Sequence, residues 1–130
     1  MVDKQALIRA WSRATDVPPY RGRPASLHGD LLPSNILVRD GRLVAVIDWG
    51  GLTVGDPAVD VIPAWTILTQ RARASFLEEV DADDDVRARA SGWALTQAVV
   101  ALWYYRPRGH SLAGIAHRTL EQVAADARVR

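Results

Sequence analysis

The chain has 130 residues, of which 48% are hydrophobic and 24% are charged, and its formal net charge is +1. This length fits one domain, and the composition is that of an ordinary globular protein. The near-neutral charge gives no strong attraction to nucleic acid or to an anionic membrane, so we expect neither as a partner. The chain contains no cysteine, which excludes a disulfide scaffold. We expect a cytoplasmic protein.

The N-terminal segment predicts a helix followed by a loop. Residues 3–15 place apolar side chains on one helical face, and Asp3 precedes them as a plausible N-cap. Residues 16–24 contain three prolines and a glycine, which favour irregular structure. The first regular element is therefore expected to end before Asp16.

A β-hairpin is the clearest local prediction. The dipeptide Asp40-Gly41 separates the apolar runs 35–38 and 42–47, a strong hairpin signal. Asn35 then stands where one strand begins, and Asp48 follows the end of its partner strand. Because the strands are antiparallel, these two residues are expected to lie side by side at one end of the hairpin.

The remainder of the chain is mostly helical in pattern. Residues 49–55 are too rich in glycine for regular structure, and Asp56 before Pro57 predicts an N-cap followed by a first helical turn. Pro63 should kink or restart that first helix. Helices are expected over residues 57–70, 72–80, 84–105 and 112–127. The predicted fold class is α+β, mostly α, with a short β-hairpin packed on a helical bundle.

The polar residues at the base of the hairpin suggest phosphoryl-transfer chemistry. Mg²⁺ takes oxygen ligands, usually one or two carboxylates plus substrate phosphates. Asp48 offers a carboxylate and Asn35 an amide oxygen at the same end of the hairpin. Asp30 lies on the tight loop before Asn35 and is expected to face the molecule that the metal holds. A carboxylate there can orient a hydroxyl group and accept its proton. Positioning and charge neutralisation of this kind are the main needs of phosphoryl transfer.

Three segments resemble the aminoglycoside phosphotransferase family, which are small-molecule kinases with a protein-kinase-like fold. They are "HGDLLPSNILV" (28–38), "IDWGGLTVGDPAVD" (47–60) and "WALTQAVVALWYY" (93–105). The resemblance covers about residues 5–127 and implies the C-terminal lobe of that fold. It also implies that Asp30 is the catalytic base and that Asn35 and Asp48 bind Mg²⁺ and the phosphates of ATP or GTP. The implied partner is a small polar molecule that accepts the phosphate on a hydroxyl.

The family also has an N-terminal lobe with a phosphate-covering loop, a strand lysine and an adenine-binding hinge. Nothing before residue 27 supplies these parts, and Lys4, the only lysine, lies in a helical pattern. We therefore expect residues 1–130 to form an isolated C-terminal lobe, inactive alone and able to self-associate through the apolar surface that a missing lobe would leave. The alternative is a non-catalytic module that binds a ligand or a partner protein. A metal-dependent phosphohydrolase would need a denser cluster of His and Asp.

Several other residues have a structural expectation. Asp60 should accept backbone N–H bonds from the His28–Asp30 loop, because such a tight loop has donors that its own geometry leaves unpaired. The ring of His28 is expected to bond to the backbone, and Ser34 to cap the loop. The aromatic residues of the long helix are expected mainly in the core, with a wall of the acceptor pocket as the alternative: Trp93, Trp103, Tyr104 and Tyr105. No metal role is expected for His110 or His117.

Overall fold

Five α-helices and four short β-strands form the chain from residue 2 to residue 129, the part that the computed structural model describes. The strands are β1 (Ala25–Leu27), β2 (Ile36–Arg39), β3 (Arg42–Val46) and β4 (Thr53–Gly55). The helices are α1 (Lys4–Asp16), α2 (Pro63–Thr66), α3 (Gln70–Glu79), α4 (Asp84–Tyr105) and α5 (Leu112–Val129). Short 3₁₀ helices lie at Pro33–Asn35, Trp49–Gly51, Pro57–Val61 and Arg106–Arg108. The expected α+β, mostly α fold class is confirmed.

The core lies where α1, α4 and α5 pack against one another. Its contacts are rich in alanine, which lets the helix axes approach closely, and Trp65 of α2 is its largest fully buried side chain. Gly92 of α4 lies where α1 approaches closely, because an added Cβ would lie 2.5 Å from the Cβ of Ala14 on α1. Within the described chain, no helix is both long and apolar enough to cross a membrane.

The expected hairpin forms from β2 and β3. They pair antiparallel from Ile36 opposite Val46 to Arg39 opposite Arg42, with an irregularity at Leu37/Val38. Both turn residues, Asp40 and Gly41, have positive φ angles (50° and 74°), as a two-residue turn between twisted strands requires. The far half of the hairpin is exposed, so the hairpin meets the rest of the protein through its base.

A second small sheet was not expected from the sequence. Strand β1 pairs antiparallel with β4, with Leu27 opposite Thr53 and Ala25 opposite Gly55. The prediction of irregular structure for residues 49–55 is therefore wrong at residues 53–55. Thr53 and Val54 are β-branched and favour strand structure, but their partner strand is remote in sequence. This sheet brings the loop after β1 beside the loop that precedes β4.

The predicted helix over residues 57–70 is wrong as one continuous element. A 3₁₀ helix over Pro57–Val61 is followed by the short helix α2, which starts at Pro63. Proline has no N–H to donate to the preceding turn, so the expected restart at Pro63 is confirmed.

The N-caps are also confirmed: Asp56 accepts the N–H of Ala58 at 3.0 Å, and Asp3 accepts that of Ala6 at 3.0 Å.

Candidate active site

The loop that follows β1 is held by the carboxylate of Asp60. The backbone N–H of His28 donates to Asp60 Oδ2 at 2.6 Å, and that of Gly29 donates to Asp60 Oδ1 at 2.9 Å. One carboxylate thus satisfies the donors of two successive residues, and bonds to an ionised acceptor are the stronger kind. The prediction that Asp60 accepts backbone N–H bonds from this loop is confirmed.

His28 joins the loop to the base of the hairpin. Its side chain is buried, and its Nε2 lies 2.8 Å from the carbonyl oxygen of Ile47, which can only accept a hydrogen bond. Its Nδ1 accepts the backbone N–H of Asp30 at 3.2 Å, so these two partners place the ring proton on Nε2. The ring also lies 4.6 Å from that of Trp49, measured between centroids. The expected structural role, with the ring bonded to backbone, is confirmed.

Two glycines let the loops touch backbone to backbone. Gly29 has a φ of +80°, and a Cβ added there would lie 2.6 Å from the carbonyl oxygen of Gly51. A Cβ on Gly51 would in turn lie 3.0 Å from the carbonyl oxygen of His28. Because φ is positive and the space is filled by backbone, no side chain fits at Gly29 without moving one of the loops.

Asn35 closes the segment that starts at Asp30. Its Nδ2 donates to the Asp30 carbonyl at 2.8 Å and lies 3.2 Å from Asp30 Oδ2. Because both of these partners are hydrogen-bond acceptors, the amide atom that faces them is the nitrogen. The amide oxygen Oδ1 then lies on the other side, 3.4 Å from Ser34 Oγ. The Asn35 carbonyl accepts the N–H of Ile47 at 2.9 Å. The side-by-side placement of the two hairpin ends is therefore confirmed.

Asp48 takes a backbone conformation that is rare outside glycine. Its φ and ψ are 60° and 62°, and its side chain is exposed. Non-glycine residues in this left-handed region are enriched at functional sites. Its carboxylate has no hydrogen-bond or ion-pair partner among residues 2–129. The oxygens of Asp48 are consequently available to a ligand, as is the second lone pair of Asn35 Oδ1.

Asp30, Asn35 and Asp48 line one cleft of about 750 Å³. This volume lies within the range of small-molecule sites. Carboxylate and amide oxygens are the donors that Mg²⁺ prefers, so the residues present fit that ion. No group of three or more His, Cys, Asp or Glu side chains suited to a metal occurs in the described chain, and the protein's own share of a cation site is small.

The other wall of the cleft corrects the sequence analysis. Trp103, Tyr104 and Tyr105 line it, and Trp103 and Tyr104 are 77% and 45% exposed. The expectation that they lie mainly in the core is wrong, and the alternative of a pocket wall describes their position. Trp93 is 45% exposed and borders a separate groove with Trp11. Four of the five buried residues of α4 are alanine or glycine, the exception being Leu95, and such small side chains allow α1 and α5 to pack closely against the helix.

Sequence reasoning missed the uncharged polar residues of the cleft. These are Thr66, Thr96, Gln97 and Thr119. Threonine inside a helix is an available signal, since its hydroxyl can bond the carbonyl four residues earlier. Only the packing of α2, α4 and α5, however, brings these residues to one cleft.

Comparisons with known proteins agree with this geometry. The sequence model of the phosphotransferase enzyme family matches residues 2–97, and the chain belongs to that family. It is 36% identical over 77 residues to the protein of Bacillus subtilis (strain 168) named "Uncharacterized protein YcbJ", covering 58% of this chain and 25% of that protein. The crystal structure of a thermostable mutant of aminoglycoside phosphotransferase APH(4)-Ia, apo form, is similar with a TM-score of 0.57 and 21% identity. That alignment covers 98% of this chain and 45% of the other. The chain spans less than half the length of either protein. The likeness of the two structures confirms the expected kinase-like fold.

Proposed function

We propose that this chain is the catalytic and acceptor-binding lobe of a phosphotransferase that moves the γ-phosphate of ATP or GTP to a hydroxyl of a small molecule. The observation that carries the proposal is the convergence of Asp30, Asn35 and Asp48 on one cleft. Family membership supports the reaction class. Use of a nucleoside triphosphate agrees with the cytoplasmic location that we propose.

Each of the three residues has a distinct proposed role. Asp48 and Asn35 Oδ1 would hold Mg²⁺, which when bound neutralises charge on the nucleotide phosphates. Asp30, held by Asn35 through its carbonyl and carboxylate, would orient the acceptor hydroxyl. As the acceptor oxygen bonds to phosphorus and the bond to the nucleoside diphosphate breaks, the hydroxyl proton passes to the Asp30 carboxylate.

The 130-residue chain by itself is expected to turn over ATP at no more than background. Positioning is worth about 7 to 11 kcal/mol of barrier lowering in such reactions, and these residues offer only part of a phosphate clamp. Robust phosphorylation of a hydroxyl compound that depends on Asp30 would contradict this expectation. Self-association through the apolar surface that a missing lobe would leave also stays a prediction.

The proposal is tested by metal–nucleotide binding, which needs no turnover. Mn²⁺ accepts the same oxygen ligands as Mg²⁺ and is paramagnetic. Water-proton relaxation is measured for the chain with Mn²⁺, with and without ATP or GTP. We expect an enhancement that requires nucleotide, that disappears in Asp48→Asn and that persists in Asp30→Asn. Asp40→Asn, an exposed carboxylate at the hairpin turn, is the matched control and should behave as the parent.

The outcomes distinguish a lobe with the proposed metal–nucleotide site from a non-catalytic binding module. An enhancement that is insensitive to Asp48→Asn, or none with either nucleotide at millimolar concentration, would count against the proposed site. In that event the non-catalytic binding module becomes the better account of this lobe.

A further inference from the structure

The cleft that holds the candidate site has an aromatic wall at the end of α4, formed by Trp103, Tyr104 and Tyr105. Trp103 is the most exposed of the large apolar side chains in the described chain, at 77%. Within residues 2–129 its indole has no contact with another ring or with a cation. The ring of Trp103 is therefore open to a ligand in the cleft.

The charged groups that line this cleft are all carboxylates. Among the described residues, its lining contains Asp30 and Asp48 and no lysine, arginine or histidine. A cleft lined by charges of one sign concentrates the opposite charge. The cleft therefore favours a cationic ligand.

Two arginines lie near the wall but do not line the cleft. The guanidinium of Arg108 lies 3.9 Å from the centroid of the Tyr104 ring and also donates to the Tyr104 carbonyl, and Arg118 donates to the Thr66 carbonyl. Both arginines are exposed, so water and salt screen their charges. Arg108 already occupies Tyr104, which leaves Trp103 as the ring that a cationic ligand can use.

The side chains beside the rings suit a cation without N–H groups. Val100, Leu112 and Ile115 continue the lining of the cleft, and aliphatic side chains offer no hydrogen-bond acceptor. A primary ammonium pressed against them would leave N–H donors unpaired, which is costly. A nitrogen that carries methyl groups instead has no donor to satisfy, and the face of an indole attracts its charge.

We infer that the acceptor carries an alkylated cationic nitrogen, which lies on the ring of Trp103 while the hydroxyl extends toward Asp30. This inference rests on the proposed function, because it takes Asp30 as the group that orients the hydroxyl. Trp103 is a specificity-determining residue in this account. Contact between a cation and an exposed ring is worth about two- to fivefold in affinity.

The test compares two probes that have the same shape and differ in charge. Choline carries a trimethylammonium group, and its neutral isostere carries a tert-butyl group in the same place. Ethanolamine is the cation without methyl groups. Each probe is titrated into the 130-residue chain at fixed ionic strength, and dissociation constants are taken from protein amide shifts. We expect choline to bind about two- to fivefold tighter than its neutral isostere, and tighter than ethanolamine.

Variants at the wall show whether the ring causes this preference. Trp103→Leu keeps an apolar side chain but removes the ring, so the preference for choline over its isostere should fall about two- to fivefold. Trp103→Phe keeps a ring and should retain part of the preference. Trp93→Leu is the matched control, because Trp93 is an exposed residue of the same helix that borders the other groove. A purely structural role of Trp103 would weaken both probes alike and leave their ratio unchanged.

The inference is overturned if the neutral isostere or ethanolamine binds as tightly as choline, or if none of the three probes binds. It is also overturned if Trp103→Leu leaves the ratio of choline to isostere unchanged, or if Trp93→Leu changes that ratio equally. The amide spectrum of each variant checks that the fold is intact.

These outcomes are distinct from failure of the proposed function. The metal–nucleotide test reads the Asp48 end of the cleft and does not involve Trp103. Charge-dependent binding at Trp103 without a metal–nucleotide complex would refute the phosphotransferase proposal alone, and the reverse result would refute this inference alone.

Discussion

The carboxylate of Asp60 lies 2.6 Å from the backbone nitrogen of His28, a residue 32 positions earlier in the chain. Its other oxygen accepts the N–H of Gly29 at 2.9 Å, so it holds the loop that presents Asp30. Asp60 does not line the cleft that contains Asp30, Asn35 and Asp48. If Asp30 has the role proposed above, Asp60 is a positioning residue for it rather than a ligand of the metal.

Asp60→Asn should lower the free energy of unfolding by about 1.5 to 3 kcal/mol, the usual contribution of a hydrogen bond to a charged group. The amide keeps one acceptor oxygen but turns N–H groups toward a backbone donor. Thermal unfolding followed by circular dichroism measures the change. Asp16→Asn, an exposed residue at the end of α1, is the matched control and should stay within about 0.5 kcal/mol of the parent. If the two variants melt alike, Asp60 does not hold the loop.

Gly29→Ala tests the contact between the two glycine loops. Gly41 has a similar φ of +74°, but a Cβ added there would have no atom within 4 Å, whereas a Cβ at Gly29 would meet Gly51. Gly41→Ala should therefore cost only the left-handed backbone energy, about 1 to 2 kcal/mol. Gly29→Ala should cost about 1 to 3 kcal/mol more, because the loops must separate. Chemical denaturation of both variants gives the difference, and equal losses would mean that the loops yield freely.

Mg²⁺ should bind the chain weakly when no nucleotide is present. Asp48 and Asn35 supply one carboxylate and one amide oxygen, and Mg²⁺ gives up its water reluctantly. Calorimetric titration of the chain is expected to give a dissociation constant in the millimolar range or no measurable heat. A sub-micromolar constant that is abolished by Asp48→Ala would show that the protein holds the ion without phosphates, contrary to this prediction.

Asp3 should make the stability of the chain depend on acid pH. The backbone N–H of Ala6 is the main cause that lowers the pKa of Asp3 below its ordinary value of 3.8, and Arg128 lowers it further. A carboxyl with a lowered pKa in the folded state stabilises the fold above its ordinary pKa, and the contribution is lost as the pH falls through the folded value. The gap in melting temperature between the parent and Asp3→Ala should thus be present at pH 7 and shrink below about pH 4. A gap of constant size from pH 7 to about pH 2.5 would contradict the assignment.

Local chemistry made some elements predictable from the sequence. The Asp40-Gly41 turn, the caps at Asp3 and Asp56 and the restart at Pro63 each depend on a few adjacent residues. Their backbone preferences are intrinsic, because a left-handed turn favours glycine or aspartate and proline cannot continue a helix. The hairpin then places Asn35 beside the residues that precede Asp48, with no need for knowledge of the remaining fold.

The tertiary structure decided what lies around those elements. Strand β4 exists because β1 pairs with it, and Trp103 faces a cleft because small residues of α4 occupy the tight contacts with α1 and α5. Hydrophobicity alone favours burial of an aromatic residue, but the helix face that is buried depends on how closely its neighbours approach. The sequence by itself determined the polar residues of the candidate site and the turn that aligns them. The tertiary packing determined which side chains surround that site, because contacts between distant segments depend on the whole fold rather than on local backbone preference.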